Sequence, residues 1–308
     1  MKEAFVDHKF NASSLDIVAK ADAIMDEYAA MGYRLTLRQL YYQLVARGYI
    51  ENSVRSYKRI GSIVSDARLA GLLDWDMIED RGREIQKNSH WGSPTEILRT
   101  CVDQFLLDHW KDQPCHVEVM VEKDALSGIL WPVCSRLDVS LTANKGYSSS
   151  SAMYEAGKRM ERATDNDKAV VVLYLGDHDP SGIDMTRDIM DRLGLFAYRY
   201  VDGGDPCEDR IVLHRLALNY DQVEVWHPPE NPAKESDSRF AKYAEEFGES
   251  SWELDAVEPA TLGELVESAI REVIDTERWQ AVEDRQAEMR GDLSEMADEW
   301  ETTHEEES

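Results

Sequence analysis

The sequence predicts an α/β fold built on a mostly parallel sheet. A mostly helical domain precedes it and an acidic helical segment follows. Three observations carry this reading. Val117–Val121 and Val170–Leu175 are short apolar runs rich in β-branched residues, which read as buried strands. Each is followed by a helical pattern, and strands alternating with helices imply a parallel sheet. Residues 14–70, by contrast, carry their apolar positions at helical spacing, and residues 271–308 are polar, acidic and helix-prone. The expected domains are 1–93, 94–270 and 271–308.

In chain order, Leu15, Val18, Ala21, Ile24, Met25 and Tyr28 mark a first helix over 14–30. Thr36 and Gln39 form a capping box that opens a second helix, running to about Arg47. Its apolar stripe is Leu37, Leu40, Tyr41, Leu44 and Val45, and Gly48 ends it. This wheel separates two adjacent tyrosines. Tyr41 falls on the core stripe, while Tyr42 lies four residues after Arg38 on the polar face. A guanidinium there both binds phosphate and favours phenolate. A third helix over 54–70 is expected to bury Tyr57, Ile60, Val64 and Ala67, with Gly71 as C-cap. Residues 72–85 are expected to form a β wing, and 86–94 to connect the domains.

Further helices are expected over 95–110, 124–136, 152–164 and 183–193, with strands over 139–143, 169–176 and near 196–201. Val223–Trp226 also reads as a strand. Residues 231–239 read as a polar surface loop carrying Lys234 and Arg239, and 252–256 precedes a helix from about Thr261. The Asn144-Lys145-Gly146-Tyr147 segment and the four serines after it stand before a helix, where such a loop cradles phosphate.

The strand over 169–176 stops at Asp177-His178-Asp179-Pro180-Ser181-Gly182. Residues i and i+2 of an extended chain point the same way, so Asp177 and Asp179 are expected to project together from its carboxyl end. Open α/β sheets place ligands at that end. A hard cation such as Mg²⁺, or Mn²⁺ in its stead, relieves the repulsion of two carboxylates.

Net charge is −27, which at first argues against nucleic acid, but it is unevenly spread: 0 over 1–100, −5 over 101–200 and −22 over 201–308. Between Arg34 and Arg68 seven basic residues face two acidic ones, so the local footprint is basic. Arg55, Lys58 and Arg59 on the third helix, with Lys145, are the candidate DNA contacts. Cys101, Cys115, Cys134 and Cys207 are far apart with no CxxC, which fits reduced thiols in a cytoplasmic protein and no zinc site. No apolar run approaches the length of a membrane span, and the N-terminus has no signal-like apolar core.

Three helices and a ribbon resemble a winged-helix domain. A strand ending in Glu122 and a later one ending in Asp-x-Asp, with helices between, resemble the Toprim fold of topoisomerases, primases and related nucleases. Within that superfamily, VEKDALSGIL, NKGYSSSS and GDHDPSGIDM look most like the topoisomerase VI A subunit. Thr36–Tyr42 (TLRQLYY) resembles the Arg-Asp-Ile-Tyr-Tyr motif of that subunit and of its meiotic double-strand-break relatives, with Gln39 in place of Asp. The chain is shorter than a typical A subunit and looks most like the compact mini-A proteins of viruses and mobile elements.

The resemblance implies a Mg²⁺-dependent homodimer that cuts both strands of DNA. Tyr42 would be the nucleophile, Glu122 the general acid/base and, with Asp177 and Asp179, a metal ligand, and Glu253 or Asp255 a support for the metal site, the tyrosine of one subunit working with the metal site of the other. The chain carries no ATPase motif, which leaves a separate ATPase partner open. Two alternatives stand beside this reading: a hydrolytic Toprim nuclease whose tyrosine is not catalytic, and a DNA-binding scaffold with an inactive Toprim domain.

Overall fold

The computed structural model describes residues 2–78, 88–143, 150–197 and 211–304. Helices α1 (Ala12–Ala30), α2 (Leu37–Ala46) and α3 (Val54–Leu69) come first, then α4 (Pro94–Gln104). The α/β unit runs β1 (Cys115–Val121), α5 (Ser127–Arg136), β2 (Ser140–Ala143), α6 (Ser150–Asp165), β3 (Ala169–Leu175), α7 (Pro180–Ala197) and β4 (Ile211–Ala217). After it come α8 (Tyr220–Trp226), β5 (Glu230–Pro232), α9 (Phe240–Phe247), β6 (Ser250–Trp252), α10 (Pro259–Glu272) and α11 (Thr276–His304).

The first four strands form one sheet in the order β2-β1-β3-β4, and every pairing is parallel. Alternation along the strands sorts its two faces. Val117, Val119, Val121, Leu173 and Leu175 pack with α5 and α10, whose Leu262, Val266 and Ile270 are buried there. Met120, Val170, Val172 and Tyr174 face α6 and α7. With both faces covered, the strands read as near-continuous apolar runs, which is why sequence alone finds them.

The helical module has its own core. Asn11 caps α1, its side chain accepting from the Ser14 N–H at 2.8 Å. The Thr36–Gln39 box forms as expected, with the Thr36 N–H donating to Gln39 Oε1 at 2.7 Å. Tyr28, Ile24, Leu40, Leu44, Ile60 and Val64 meet in the centre, and Ala256 from the far end of the chain joins them.

Several expectations are corrected. Val223–Trp226 is helical, because Asn219 and Gln222 build a capping box that starts α8. Tyr57 and Leu15 lie on exposed helix faces, while Ile63 and Ile17 take the core positions. Residues 72–78 make turns and one bridge, Leu35 to Ile78, rather than a strand. The rest of the expected wing, 79–85, lies outside the described residues, as does Lys145. Helix α7 continues to Ala197, past the expected start of a strand near Phe196, whose remainder again lies outside the described residues. The strand β4 was not anticipated. Among the described residues no helix is long and apolar enough to cross a membrane.

Candidate active site

The sheet order places a topological switch between β1 and β3, since β1 leads outward to β2 and β3 leads the other way to β4. Crevices for ligands open outside the carboxyl ends of strands at such a point. Glu122 and Asp177 stand there. Val121 pairs with Leu175, and the Glu122 N–H donates to Leu175 O at 2.9 Å. The Glu122 carboxylate (Oε2) accepts the Asp177 N–H at 2.8 Å. Gly176 permits this approach, since a Cβ there would sit 2.9 Å from Glu122 Oε2 and 2.5 Å from the Tyr174 hydroxyl.

Both oxygens of Asp177 are engaged. Oδ1 accepts the Leu254 N–H at 2.8 Å, and Oδ2 lies 2.8 Å from the Lys123 ammonium. Burial pushes the Asp177 carboxyl up to about 7; Lys123 opposes the shift, and Glu122 and Glu253 add to it. Burial also raises Glu122 above its usual range, against the Asp177 N–H and Lys123.

Backbone pairing continues past Leu175, with the Gly176 N–H donating to Ala217 O at 2.7 Å and His178 bridging Trp252. Asp179 Oδ1 accepts from the Gly182 N–H at 2.6 Å and from Ser181 Oγ at 2.9 Å, at the start of α7. A Cβ on Gly182 would collide with Asp177 O. The Asp179 charge still raises Glu122.

Two residues missed in the sequence hold this turn. His178 is buried, and its backbone exchanges both bonds with Trp252 at 2.9 Å. Its Nδ1 meets the Tyr243 hydroxyl at 2.7 Å, and Tyr220, Phe247 and Trp252 surround the ring. Burial pushes its pKa down to about 4, so it is neutral near pH 7. Arg215 lies beneath, donating to Asp177 O at 2.6 Å, Gly182 O at 2.9 Å and Gly176 O at 3.1 Å. Its signal is a lone arginine inside the apolar strand Ile211–Ala217.

The turn Glu253–Ala256 ties this edge to α2. Arg38 Nη2 lies 2.8 Å from Glu253 Oε2, and its Nε lies 3.1 Å from Asp255 Oδ2. Lys123 contacts Glu253 and lies 3.5 Å from Asp255 Oδ1. Burial opposes the Lys123 charge, but Asp177, Asp255 and Glu253 together hold its pKa above the usual lysine value. Asp255 is 2% exposed, and neither carboxylate oxygen accepts a hydrogen bond.

Tyr42 lies beneath Arg38, whose guanidinium carbon is 5.8 Å from the ring centroid. The polar face expected of Tyr42 is covered: the residue is 5% exposed, because Ala256 and its turn pack onto the helical core. Burial, reinforced by Glu253, raises its pKa; Arg38 and Lys123 oppose this without prevailing. The phenolate expected from Arg38 alone is therefore not favoured. Tyr41 is buried as expected, and its hydroxyl is occupied. It accepts the Ser53 N–H at 2.8 Å and bonds Asn52 Oδ1 at 3.0 Å, bracing the start of α3. Arg55, Lys58 and Arg59 are exposed on α3, with Arg59 donating to Ser13 Oγ at 2.8 Å.

As the side chains stand, no group of three or more His, Cys, Asp or Glu among the described residues is placed to hold a metal ion. The chemistry of the donors nevertheless suits a hard cation. Five carboxylates (Glu122, Asp177, Asp179, Glu253, Asp255) meet three cations (Arg38, Lys123, Arg215). The acids outnumber the cations by two, and the two buried Asp255 oxygens make no hydrogen bond but are ion-paired, Oδ2 with Arg38 Nε at 3.1 Å and Oδ1 with Lys123 at 3.5 Å. The ammonium of Lys123 fills the space between Asp177, Glu253 and Asp255. A cavity of about 430 Å³ beside His116, Val117 and Lys168 lies by the opposite end of β1 and takes no part in the site. No family model matches the chain, and no curated protein matches it significantly.

Proposed function

We propose that the protein cleaves duplex DNA by tyrosine transesterification, with Tyr42 as nucleophile and Mg²⁺ or Mn²⁺ as cofactor. In this reading α1–α3 act as a winged-helix DNA-binding unit and the parallel sheet as a Toprim unit, as in the topoisomerase VI A subunit that the motifs resemble. One observation carries the proposal. An unbroken chain of contacts runs from Tyr42 through Arg38, Glu253 and Lys123 to Asp177, so the tyrosine and the acidic sheet edge belong to one site.

Tyr42 Oη passes its proton to Glu122 and attacks the phosphorus, a 5′-phosphotyrosyl bond forms as the bond from phosphorus to the 3′ oxygen breaks, and that oxygen leaves with the proton Glu122 returns. Glu122, raised above its usual range, is suited to hold or return a proton near neutral pH. Arg38 positions the phosphate once it leaves Glu253. Glu122, Asp177 and Asp179 would hold the divalent ion, which supplies charge stabilisation at the phosphate when bound. Arg55, Lys58, Arg59 and Lys145 contact the DNA backbone, and two chains assemble so that both strands are cut.

Burial of the Tyr42 hydroxyl favours a second reading, a hydrolytic nuclease in which water attacks and Tyr42 only supports Arg38. One experiment separates the two. End-labelled duplex is incubated with protein and Mg²⁺, then denatured. Transesterification leaves label on the protein, whereas hydrolysis releases free 5′-phosphates.

A further inference from the structure

We propose that one flank of α11 is an interface with a second copy of this chain, whose own α11 packs antiparallel along it. The inference rests on the homodimer reading above and gives it a surface; DNA cleavage does not enter it. Helix α11 is 29 residues long, yet among its described side chains only Ala297 is buried. One face lies on α4 and the segment after it. Arg99 pairs with Asp298 and with Glu301, Arg290 Nε donates to Phe105 O at 2.9 Å, and Gln286 accepts the Leu107 N–H at 2.7 Å. Val282, Met289 and Met296 lie about 100° round the helix from Arg290 and Ala297, to one side of that contact. Met296 is 64% exposed, and Val282 and Met289 are half-buried. The three recur every seven residues, the spacing of a coiled-coil seam.

The charges beside the seam select the occupant. Arg278, Arg285, Asp292 and Glu299 also recur every seven residues, all exposed, on the side of the seam away from α4. The row is basic in its first half and acidic in its second, so it complements a reversed copy of itself. In one antiparallel register Arg285 of each copy faces Asp292 of the other, and Arg278 faces Glu299. The same register sets Val282 opposite Met296, and Met289 opposite its own counterpart on the two-fold axis, an isologous contact. A parallel pair instead brings Arg285 toward Arg290 and sets one acidic end against the other. Arg278 is already 3.2 Å from Asp275 within the chain. Arg285, Asp292 and Glu299 form no ion pair among the described residues, so their charges are open to a partner. With α4 of each copy behind its α11, the four helices enclose the apolar seam.

Sedimentation velocity and light scattering on the full chain, without DNA, read the assembly directly. Wild type should be dimeric at micromolar concentration. Met296→Glu sets a carboxylate opposite Val282 and should weaken the dimer at least about tenfold while circular dichroism stays native. Arg285→Glu and, separately, Asp292→Arg should each weaken self-association at least about tenfold, because each creates two like-charge contacts across the axis. An equimolar mixture of those two variants should recover a mixed dimer of near wild-type strength, since every facing pair is again opposite in sign. Residues 285 and 292 stand two turns apart on one helix, so a contact within one chain does not account for that recovery. Should Met296→Glu lose helicity, the charge-reversed pair decides. A monomeric wild type overturns the proposal and the homodimer reading together. A dimer that the charge reversals leave intact, or a loss that mixing does not restore, overturns the antiparallel α11 interface alone. The cleavage assay is separate, so its failure leaves this result standing.

Discussion

Strand β1 and the residue that follows it carry two buried glutamates four residues apart, and they have opposite fates. Glu118, fully buried, receives two bonds from Arg159 at 2.8 Å each and lies 3.1 Å from His116 Nε2. Burial alone would raise its pKa, but Arg159 and His116 outweigh that and hold it below the usual carboxylate range. Glu122, at the strand end, is raised, and Asp177 beside it is raised further. Glu118 has matched partners from a neighbouring helix and from its own strand. Glu122 and Asp177 share their cations with other acids. A matched buried pair reads as structural, whereas a crowded, undercompensated cluster in a crevice marks a functional candidate.

Substitutions at the two clusters should therefore break different things. The largest effect is expected for Tyr42→Phe and for Asp177→Ala, which should bring DNA cutting and the covalent adduct below detection in denaturing gels while circular dichroism stays native. Full cutting by Tyr42→Phe with free 5′-phosphates would leave only the hydrolytic reading. Excess EDTA should likewise abolish cutting.

The mechanism also permits a test of which chains cooperate. The contacts from Tyr42 to Asp177 lie within one chain, whereas the family resemblance implies pairing across subunits. In a mixed dimer of Tyr42→Phe and Asp177→Ala chains, a site built within one chain is never complete, so no nick is expected. Nicked product would instead establish pairing across the dimer.

Next in size is the matched pair. Glu118→Gln removes the counter-charge of the half-buried Arg159 and weakens two charge-assisted hydrogen bonds, and it should cost about 2 kcal/mol in urea unfolding. Asp177→Asn keeps an acceptor for the Leu254 N–H and removes a charge that burial already disfavours. It also takes one of three acids from Lys123, so the two effects oppose each other and the net cost should be smaller than that of Glu118→Gln. If the two costs are equal, the distinction between clusters fails.

The pH dependence has a definite sign. The folded pKa of Glu118 lies below its ordinary value of 4.5. Its pairing therefore contributes full stability above that value, and the contribution is lost as pH falls through the lower folded pKa. Glu118→Gln should flatten the acid limb of the melting-temperature curve below about pH 4.5.

The smallest effect concerns the neighbouring tyrosine. Tyr41→Phe removes the acceptor for the Ser53 N–H, so it should cost about 1 kcal/mol of stability. Cutting should remain near wild type, because that hydroxyl braces α3 and the contacts of the acidic edge run through Arg38 and Tyr42 instead.

Much of the framework was legible in the sequence because it is local. The capping box at Thr36 and Gln39 needs four residues, and the strands Cys115–Val121 and Ala169–Leu175 declare themselves by unbroken apolar character. Assigning Tyr41 to the core required only a helical wheel, and Glu122 and Asp177 stood at strand ends readable from the same pattern.

What tertiary structure alone decided depends on distant segments. Strand order determines that the Glu122 and Asp177 ends meet at the switch between β1 and β3, and no single window of sequence contains that order. Arg215 joins them from β4, a strand whose His214 and Arg215 interrupt its apolar run. The wheel assigned Tyr42 to solvent correctly for an isolated helix, but a turn more than two hundred residues away buries it. That turn also supplies Glu253 and Asp255, whose charges determine how Arg38 and Lys123 are held. Covalent neighbours specify secondary structure and its polarity. A side chain's solvation and charge balance depend on whatever packs over it, and here the covering residues come from the other end of the chain.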